Sequence, residues 1–205
     1  MAKLKKKFIE ASFSIPEPSN FQLEPPRITA DNFEQELDEA LEAGDYTRAL
    51  EVLDAAPRWM KKQPEIALIR ATVILGLGQD REALHIFRDL ERKNPRFAPL
   101  YLPLTFFYME QECPAHALQA AKRARSDRDI TEEAATSLNE TVEEATAYIQ
   151  NSAEELGISF ETMQRACIFH EQALLAILEN NLPGVDHFSR EAIKIAPNWN
   201  PPHNN

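Results

Sequence analysis

Glycine is rare in this chain, with five residues among 205, and no stretch alternates Val, Ile or Thr with polar residues over several positions. Alanine, leucine and glutamate recur instead, and these residues favour helix over strand. Hydrophobic residues make up 43% of the sequence, which is enough to build a buried core. The composition therefore predicts an all-α protein whose fourteen prolines mark boundaries between helices.

Cysteine, clustered positive charge and long apolar runs are also scarce. Two cysteines, Cys113 and Cys167, cannot form a disulfide framework, so a reducing, cytoplasmic location is expected. The net charge of −11 argues against a nucleic-acid partner. The most apolar stretch, residues 97–109, is too short to cross a bilayer, and the first residues lack the apolar segment of a signal peptide. We therefore expect no membrane insertion.

A period of 34 residues runs through the sequence. The pairs Ala49-Leu50, Ala83-Leu84 and Ala117-Leu118 are spaced by 34 residues, and so are Gly44 and Gly78. Small residues at such positions let neighbouring helices approach closely. A fixed period of this length is typical of stacked helical hairpins.

Prolines and glycines divide these repeats into pairs of helices. Pro64 and Pro114 fall near first turns, where a missing N–H costs little, and Pro57 and Pro95 follow helix ends. The predicted helices span residues 31–43, 45–55, 64–77, 80–93, 98–111 and 114–126. They give repeats over about 31–60, 64–95 and 98–129, and a further repeat-like hairpin is predicted over 159–197. Together they form one predicted domain, 31–205.

The segments GDYTRALEVL (44–53) and GQDREALHIF (78–87) resemble the tetratricopeptide repeat (TPR) family, whose unit has 34 residues. The third repeat departs from the family pattern, because Glu112 and Pro114 stand where the turn glycine and an aromatic residue are expected. The resemblance implies an α-α superhelix, a TPR-like solenoid with about three to four helical-hairpin repeats. It also implies that partners bind on the concave face, which the first helix of each hairpin lines.

One long helix is predicted between the third repeat and the last hairpin, at about 130–157, since residues 131–156 contain neither glycine nor proline. Its apolar residues follow a heptad-like spacing. Asp129 or Thr131 is the expected N-cap, and Gly157 the expected end. Such a helix either braces the repeats or offers a face to a second copy. Paired glutamates recur on it every 11 residues and predict a solvated stripe: Glu132-Glu133, Glu143-Glu144 and Glu154-Glu155.

The family's phasing implies a partner-binding groove with an apolar floor and acidic edges. Its residues are Glu34, Asp38, Leu41 and Glu42 in the first repeat, Glu65, Leu68, Thr72 and Leu75 in the second, and Leu102, Phe106, Met109 and Glu110 in the third. Family members that bind acidic C-termini carry Lys and Asn where this chain has Glu34 and Asp38, and these two carboxylates would repel such a ligand. A peptide or helix with hydrophobic anchors and positive charge fits better.

The apolar groove residues have an alternative role. Aromatic side chains at helical spacing are often part of a core, so the aromatic residues of the third repeat either line the groove or fill the layer beneath it: Tyr101, Phe106, Phe107 and Tyr108.

The first thirty residues differ in charge from the rest of the chain. They carry a net charge of +2. The remaining residues carry −13, which gives the whole chain its net charge of −11. Four lysines fall within positions 3–7, and apolar anchors follow at Phe8, Ile9, Phe13 and Ile15. This N-terminal extension is interpreted either as a solubilising tail or as a segment that docks in the acidic groove of its own chain or of a second copy.

Motifs for metal binding or catalysis are incomplete. Cys113-x2-His116 and Cys167-x2-His170 carry donors that zinc prefers, but the predicted hairpins place the two pairs on opposite edges of a solenoid, which favours partly buried structural thiols. His170-Glu171 lacks the second histidine of a metalloprotease helix, and neither a P-loop nor a nucleophile elbow occurs. We expect no metal, no cofactor and no enzymatic activity.

The sequence therefore predicts a non-catalytic protein–protein interaction scaffold or adaptor. Two alternatives stay open. The chain is also similar to tetratricopeptide secretion chaperones, which shield hydrophobic segments of client proteins. It is alternatively a structural subunit whose long helix forms a homodimer.

Overall fold

The computed structural model describes residues 32–127 and 130–201. These residues form α-helices joined by turns and short 3-10 segments, with no β-strand among them, which confirms the predicted all-α class. The N-terminal extension predicted over 1–30 lies outside the described residues, as does the candidate N-cap Asp129. The chain divides after Pro95 into two compact units.

The unit that ends at Pro95 contains α1 (Phe33–Glu42), α2 (Tyr46–Ala55), α3 (Pro64–Gly76) and α4 (Asp80–Lys93). Each helix packs against the next one along the chain. Amphipathic spacing places one side of α1 and of α2 in a shared core, to which α3 contributes Val73. The buried residues of this cluster are Phe33, Leu37, Ala40, Ala49, Val52, Leu53, Ala56, Met60 and Val73.

The unit that starts at Arg96 contains five α-helices: α5 (Tyr101–Glu110), α6 (Pro114–Ala124), α7 (Glu132–Leu156), α8 (Phe160–Leu178) and α9 (Leu182–Ile195). Consecutive helices pack together, and α6 also packs against α8. Alanine-rich helix faces allow this close packing. One buried cluster joins α6, α7 and α8 through Ala115, Leu118, Ala145, Ile149, Ala153, Met163, Ala166 and Cys167, with Ala196 after α9.

Four of the turns share one backbone geometry and follow the 34-residue period. The residue in the left-handed region is Gly44, Gly78, Glu112 or Asn180, with φ of 66°, 73°, 57° and 61°. In each turn the next residue donates its N–H to a carbonyl five residues earlier: Asp45 to Ala40, Gln79 to Ile74, Cys113 to Tyr108 and Asn181 to Ala176. This is the Schellman arrangement, which satisfies the last carbonyls of a helix. The position one period after Glu112 falls inside α7, and Asn180 follows two periods after Glu112.

The small residues of the period lie where helices meet. Ala49, Ala83 and Ala117 are each 0% exposed. Gly76 has a similar role, because a Cβ built on it would come within 2.7 Å of the Tyr46 ring. The predicted close approach of neighbouring helices is therefore present within each unit.

The largest difference between a predicted and an observed helix start is in the third hairpin. The first helix of the third hairpin was expected over 98–111, but Ala98–Leu100 forms a 3-10 turn and α5 begins at Tyr101. Pro103 explains the difference, because it has no N–H to donate to the carbonyl four residues earlier. The first turn therefore cannot be regular α-helix.

The long helix α7 agrees with its prediction. Its N-cap is Thr131, whose side chain accepts a hydrogen bond from the N–H of Ala134, and Gly157 ends it at a φ of 64°. The six glutamates of its three pairs are all exposed, as predicted for a solvated stripe. Its opposite side packs in the core of the second unit, through Leu138, Thr141, Ala145, Ile149 and Ala153.

The turn at Glu112 gives a test of the repeated geometry. A left-handed conformation costs a non-glycine residue about 1 kcal/mol, so we expect Glu112→Gly to raise the free energy of unfolding by about 1 kcal/mol. The control is Glu144→Gly in the interior of α7, which should lower it by about 1 kcal/mol. Urea unfolding followed by circular dichroism measures both. Equal destabilisation by the two substitutions would contradict the turn geometry.

Candidate protein-binding surfaces

Helix α1 carries a row of acidic side chains on one face. Glu34, Asp38 and Glu42 are four residues apart, so they lie above one another, and all three are exposed. The helix contains no basic residue. Among the described residues, the one ion pair that reaches α1 joins Glu36 to Arg48 at 3.0 Å, on another face of the helix. We call this row the acidic face; no basic side chain within residues 32–127 and 130–201 pairs with its carboxylates.

This arrangement is unfavourable for an isolated helix. Like charges four residues apart destabilise a helix by about 0.2–0.5 kcal/mol per pair, and Glu42 lies at the C-terminal end, where the helix dipole disfavours negative charge. Leu41 lies beside the acidic face and is only half-buried, packed at the edge of the core cluster of the first unit. A positively charged partner with an apolar anchor would relieve the repulsion and cover Leu41.

The predicted groove residues of the second repeat lie on α3. Glu65 is exposed, whereas Leu68, Thr72 and Leu75 are half-buried. The Thr72 hydroxyl donates to the Leu68 carbonyl at 3.1 Å, so its polar group is satisfied within the helix. These residues present a mainly apolar surface within the first unit.

The predicted groove residues of the third repeat lie on α5, in the second unit. Leu102, Phe106 and Met109 are half-buried and Glu110 is exposed. Of the aromatic residues with two alternative roles, Tyr101, Phe107 and Tyr108 are buried and belong to the core, whereas Phe106 keeps part of its ring accessible. None of the twelve predicted positions is buried, so all of them retain some accessible surface.

A cleft of about 650 Å³ lies elsewhere in the first unit, between the start of α3 and α4. Side chains of both charges line it: Lys61, Lys62 and Lys93 are basic, and Glu82 and Asp89 are acidic. None of the twelve predicted groove residues lines it. The mixed charge gives it no preference for a charged ligand of one sign.

A buried carboxylate joins α8 to the start of α6. Glu171 is 1% exposed, and its two carboxylate oxygens accept the N–H groups of Ala115 at 2.7 Å and His116 at 2.8 Å. The imidazole Nδ1 of His116 lies 2.6 Å from the same carboxylate. Cys113, the N-cap of α6, provides no capping side-chain hydrogen bond, so Glu171 performs that function from another helix.

The predicted separation of the two Cys-x2-His pairs is wrong. They were expected on opposite edges, but Cys167 lies one turn before Glu171 on α8, and Glu171 reaches the residues that follow Cys113. Both thiols are free and buried, in agreement with a structural role. In residues 32–127 and 130–201, no three His, Cys, Asp or Glu side chains are grouped to hold a metal ion. The sequence signal for Glu171 is an acidic residue between Cys167 and Leu175 on an apolar stripe.

The thiols and a nearby tyrosine have raised pKa values. Burial, reinforced by the Glu171 carboxylate, raises the pKa of Cys113 and of Cys167 above the ordinary value of 9.0. Burial, reinforced by Cys167, Glu171 and Glu112, raises the pKa of Tyr148 from 10.0 to about 12. All three groups are therefore held in their neutral forms.

Apolar residues that the sequence did not single out are exposed on the last hairpin. Ile177, Leu182 and Ile193 are 59%, 71% and 59% exposed.

Among the described residues, no helix is both long and apolar enough to cross a bilayer. Comparison of the sequence with models of known protein families found no match, and comparison with curated proteins found none either.

Removal of the Glu171 carboxylate tests its structural role. We expect Glu171→Ala to lower the free energy of unfolding by about 3–5 kcal/mol, because it leaves buried donors at the start of α6 unsatisfied. Glu155→Ala on the exposed side of α7 is the control and should change it by less than about 0.5 kcal/mol. Denaturant unfolding compares the two. A loss below about 1 kcal/mol for Glu171→Ala would show that the carboxylate is dispensable.

The raised pKa values predict a loss of stability in alkali. A thiol pKa that is higher in the folded than in the unfolded chain stabilises the folded state. For each thiol, this contribution is complete below the unfolded-state pKa of 9.0 and is lost as the pH rises above that pKa. We expect the free energy of unfolding to fall from about pH 9, by up to about 1.4 kcal/mol per pH unit for each thiol. Urea unfolding at pH 7–11 measures the slope. A double Cys113→Ala, Cys167→Ala variant should have a smaller slope between pH 9 and 10, and an unchanged slope would refute the assignment.

Proposed function

We propose that the chain is a non-catalytic protein-binding scaffold of TPR-like helical hairpins, which binds a peptide or helix with hydrophobic anchors and positive charge on the faces of its first helices. The observation that carries this proposal is the acidic face of α1. Three carboxylates, at Glu34, Asp38 and Glu42, are exposed beside half-buried Leu41 without a basic partner in the described chain. Such a face is complementary to a basic, apolar segment.

The recurring turns support the TPR-like part of the proposal. Turns at Gly44, Gly78 and Glu112 have the same hydrogen bonds at intervals of 34 residues. In solenoids of this class each hairpin repeats the same exposed positions, so a ligand meets equivalent residues on successive first helices. In this account, the half-buried residues Leu68 and Leu75 of α3 supply apolar contacts on the first unit, and Leu102 and Phe106 of α5 supply apolar contacts on the second unit.

A non-catalytic role is supported by how the interior polar groups are used. Glu171 is the most buried carboxylate of the described chain, and its oxygens bond two backbone N–H groups and His116. The thiols beside it are held in the less nucleophilic, protonated form. These groups serve the packing of α6 against α8, and they are shielded from solvent.

A chaperone-like function is the second candidate, because of the exposed side chains of Ile177, Leu182 and Ile193 on the last hairpin. Exposed apolar residues of this kind can bind hydrophobic client segments.

A homodimer through α7 is less favoured, because of the residues that each side of this helix presents. The apolar side of α7 is already packed in its own unit, and its outer side carries six exposed glutamates, which would repel the same face of a second copy.

A random peptide library displayed on phage, selected against the full-length protein, tests the proposed function. We expect selected peptides to combine Lys or Arg with aliphatic or aromatic residues. Fluorescence anisotropy of a selected peptide should show about tenfold weaker binding to an Asp38→Lys, Glu42→Lys variant, because two attractive charges become repulsive.

The matched control is Glu143→Lys, Glu144→Lys on α7, which has the same change in net charge and should bind as the parent protein does. A Leu102→Asp variant, checked by circular dichroism for retained helix, tests the apolar contribution of α5. Selection of acidic peptides, or equal loss of binding in the α1 and α7 variants, would contradict the proposal.

A further inference from the structure

We propose that the N-terminal segment of the same chain, residues 3–15, occupies the acidic face of α1 together with the half-buried apolar surface of α3. This inference rests on the proposed function, since it names the first occupant of that binding surface. It makes the segment an internal competitor, which an external partner must displace.

Charge complementarity is the first reason for this assignment. One short stretch contains Lys3, Lys5, Lys6 and Lys7. Residues 1–30 carry a net charge of +2, whereas the remainder of the chain carries a net charge of −13. The acidic face of α1 holds three exposed carboxylates, and no basic side chain of the described residues pairs with them. The lysines fall within five consecutive positions and the carboxylates are four and eight residues apart, so several opposite charges can pair at once.

Apolar complementarity is the second reason. Phe8, Ile9, Phe13 and Ile15 follow directly after the lysines, so the segment joins positive charge to large apolar anchors in one continuous stretch. Apolar surface of matching character is present in the same unit, with half-buried Leu41 beside the acidic face on α1 and half-buried Leu68 and Leu75 on α3. Covering partly exposed aliphatic side chains contributes about 25 cal/mol per Å² of apolar area removed from water.

The length of the connection permits the contact. Ile15 is separated from Asn32, where the described chain begins, by 17 residue steps, which span up to about 55 Å when extended. Helix α1 has 10 residues and is therefore about 15 Å long. The segment can reach any position along α1, and its tether gives an effective concentration on the order of millimolar. An occupant from the same chain is therefore favoured over a second copy at micromolar protein concentration.

Site-specific photocrosslinking of the full-length protein tests the inference. The photoreactive amino acid benzoylphenylalanine replaces Ala11, which lies between the anchors and leaves them intact. After illumination at micromolar concentration, mass spectrometry of proteolytic fragments should locate the crosslinks in α1 and α3 of a product with the mass of one chain. Illumination in 1 M salt should lower the yield several-fold, because salt screens exposed charges.

The charge-reversed variant Asp38→Lys, Glu42→Lys should lower the crosslink yield to α1 by about tenfold. The variant Glu143→Lys, Glu144→Lys, with the same net charge, should crosslink as the parent protein does. Crosslinks scattered over the chain, crosslinks concentrated in residues 96–201, an equal loss in both variants, or a product with the mass of two chains would each overturn the proposal.

The outcome separates this inference from the function on which it rests. If selected basic peptides bind the α1 surface and the photoreactive residue at position 11 does not crosslink there, the surface binds external partners and the internal occupant is refuted. If Ala11 crosslinks to α1, and selected peptides do not bind even a Lys5→Glu, Lys6→Glu, Lys7→Glu variant, the function as an external scaffold is refuted. If both hold, the same lysine variant should bind external peptides several-fold more tightly than the parent protein does.

Discussion

The Schellman turn that closes each helical hairpin is the constraint on which the rest of the fold depends. A helix leaves its last carbonyls without partners, and in this chain the same two backbone hydrogen bonds satisfy them at Gly44, Gly78, Glu112 and Asn180. Each turn reverses the chain within three residues, so the following helix must pack against the preceding one. The apolar faces of both helices are thereby paired, and the first helix of each hairpin keeps one face toward solvent.

The carboxylate of Glu171 adds a constraint that turns alone do not provide. Consecutive helices are held together by short connections, but α6 and α8 are separated in sequence by the whole of α7. Glu171 bonds the N–H groups of Ala115 and His116 and so fixes the start of α6 against α8. A buried carboxylate is stable there because two backbone N–H groups and the imidazole of His116 hydrogen-bond to it. The two thiols fill the apolar surroundings of this contact.

The sequence predicted the elements that depend on local signals. Gly44 and Gly78 mark their turns because glycine adopts positive φ easily, and Thr131 and Gly157 bound α7 as its composition indicates. Glu112 and Asn180 take the same conformation without being glycine, so only the 34-residue period reveals them. Pro103 was present in the predicted helix, but its effect on the first turn of α5 was not anticipated.

The contact of Glu171 with α6 could not be predicted, because it joins residues 55 and 56 positions apart and no local pattern encodes that distance. The groove positions were taken from the phasing of a known family and stay a prediction: the structure shows that the acidic residues are exposed and the others half-buried. Three of the four aromatic residues of the third repeat belong to the core. Their spacing could not identify the buried face, because α5 is apolar on most of its sides.

Binding on the first-helix faces is the central claim, and methyl-group nuclear magnetic resonance tests it most directly. Leucine methyl groups lie at Leu41, Leu68, Leu75 and Leu102, on the surfaces assigned to partner binding, and at Leu90, which lines the cleft between α3 and α4. Titration of the full-length protein with a selected basic, apolar peptide should shift the Leu41 and Leu68 signals and leave Leu90 unchanged. Shifts confined to Leu90, with Leu41 and Leu68 unmoved, would contradict the account.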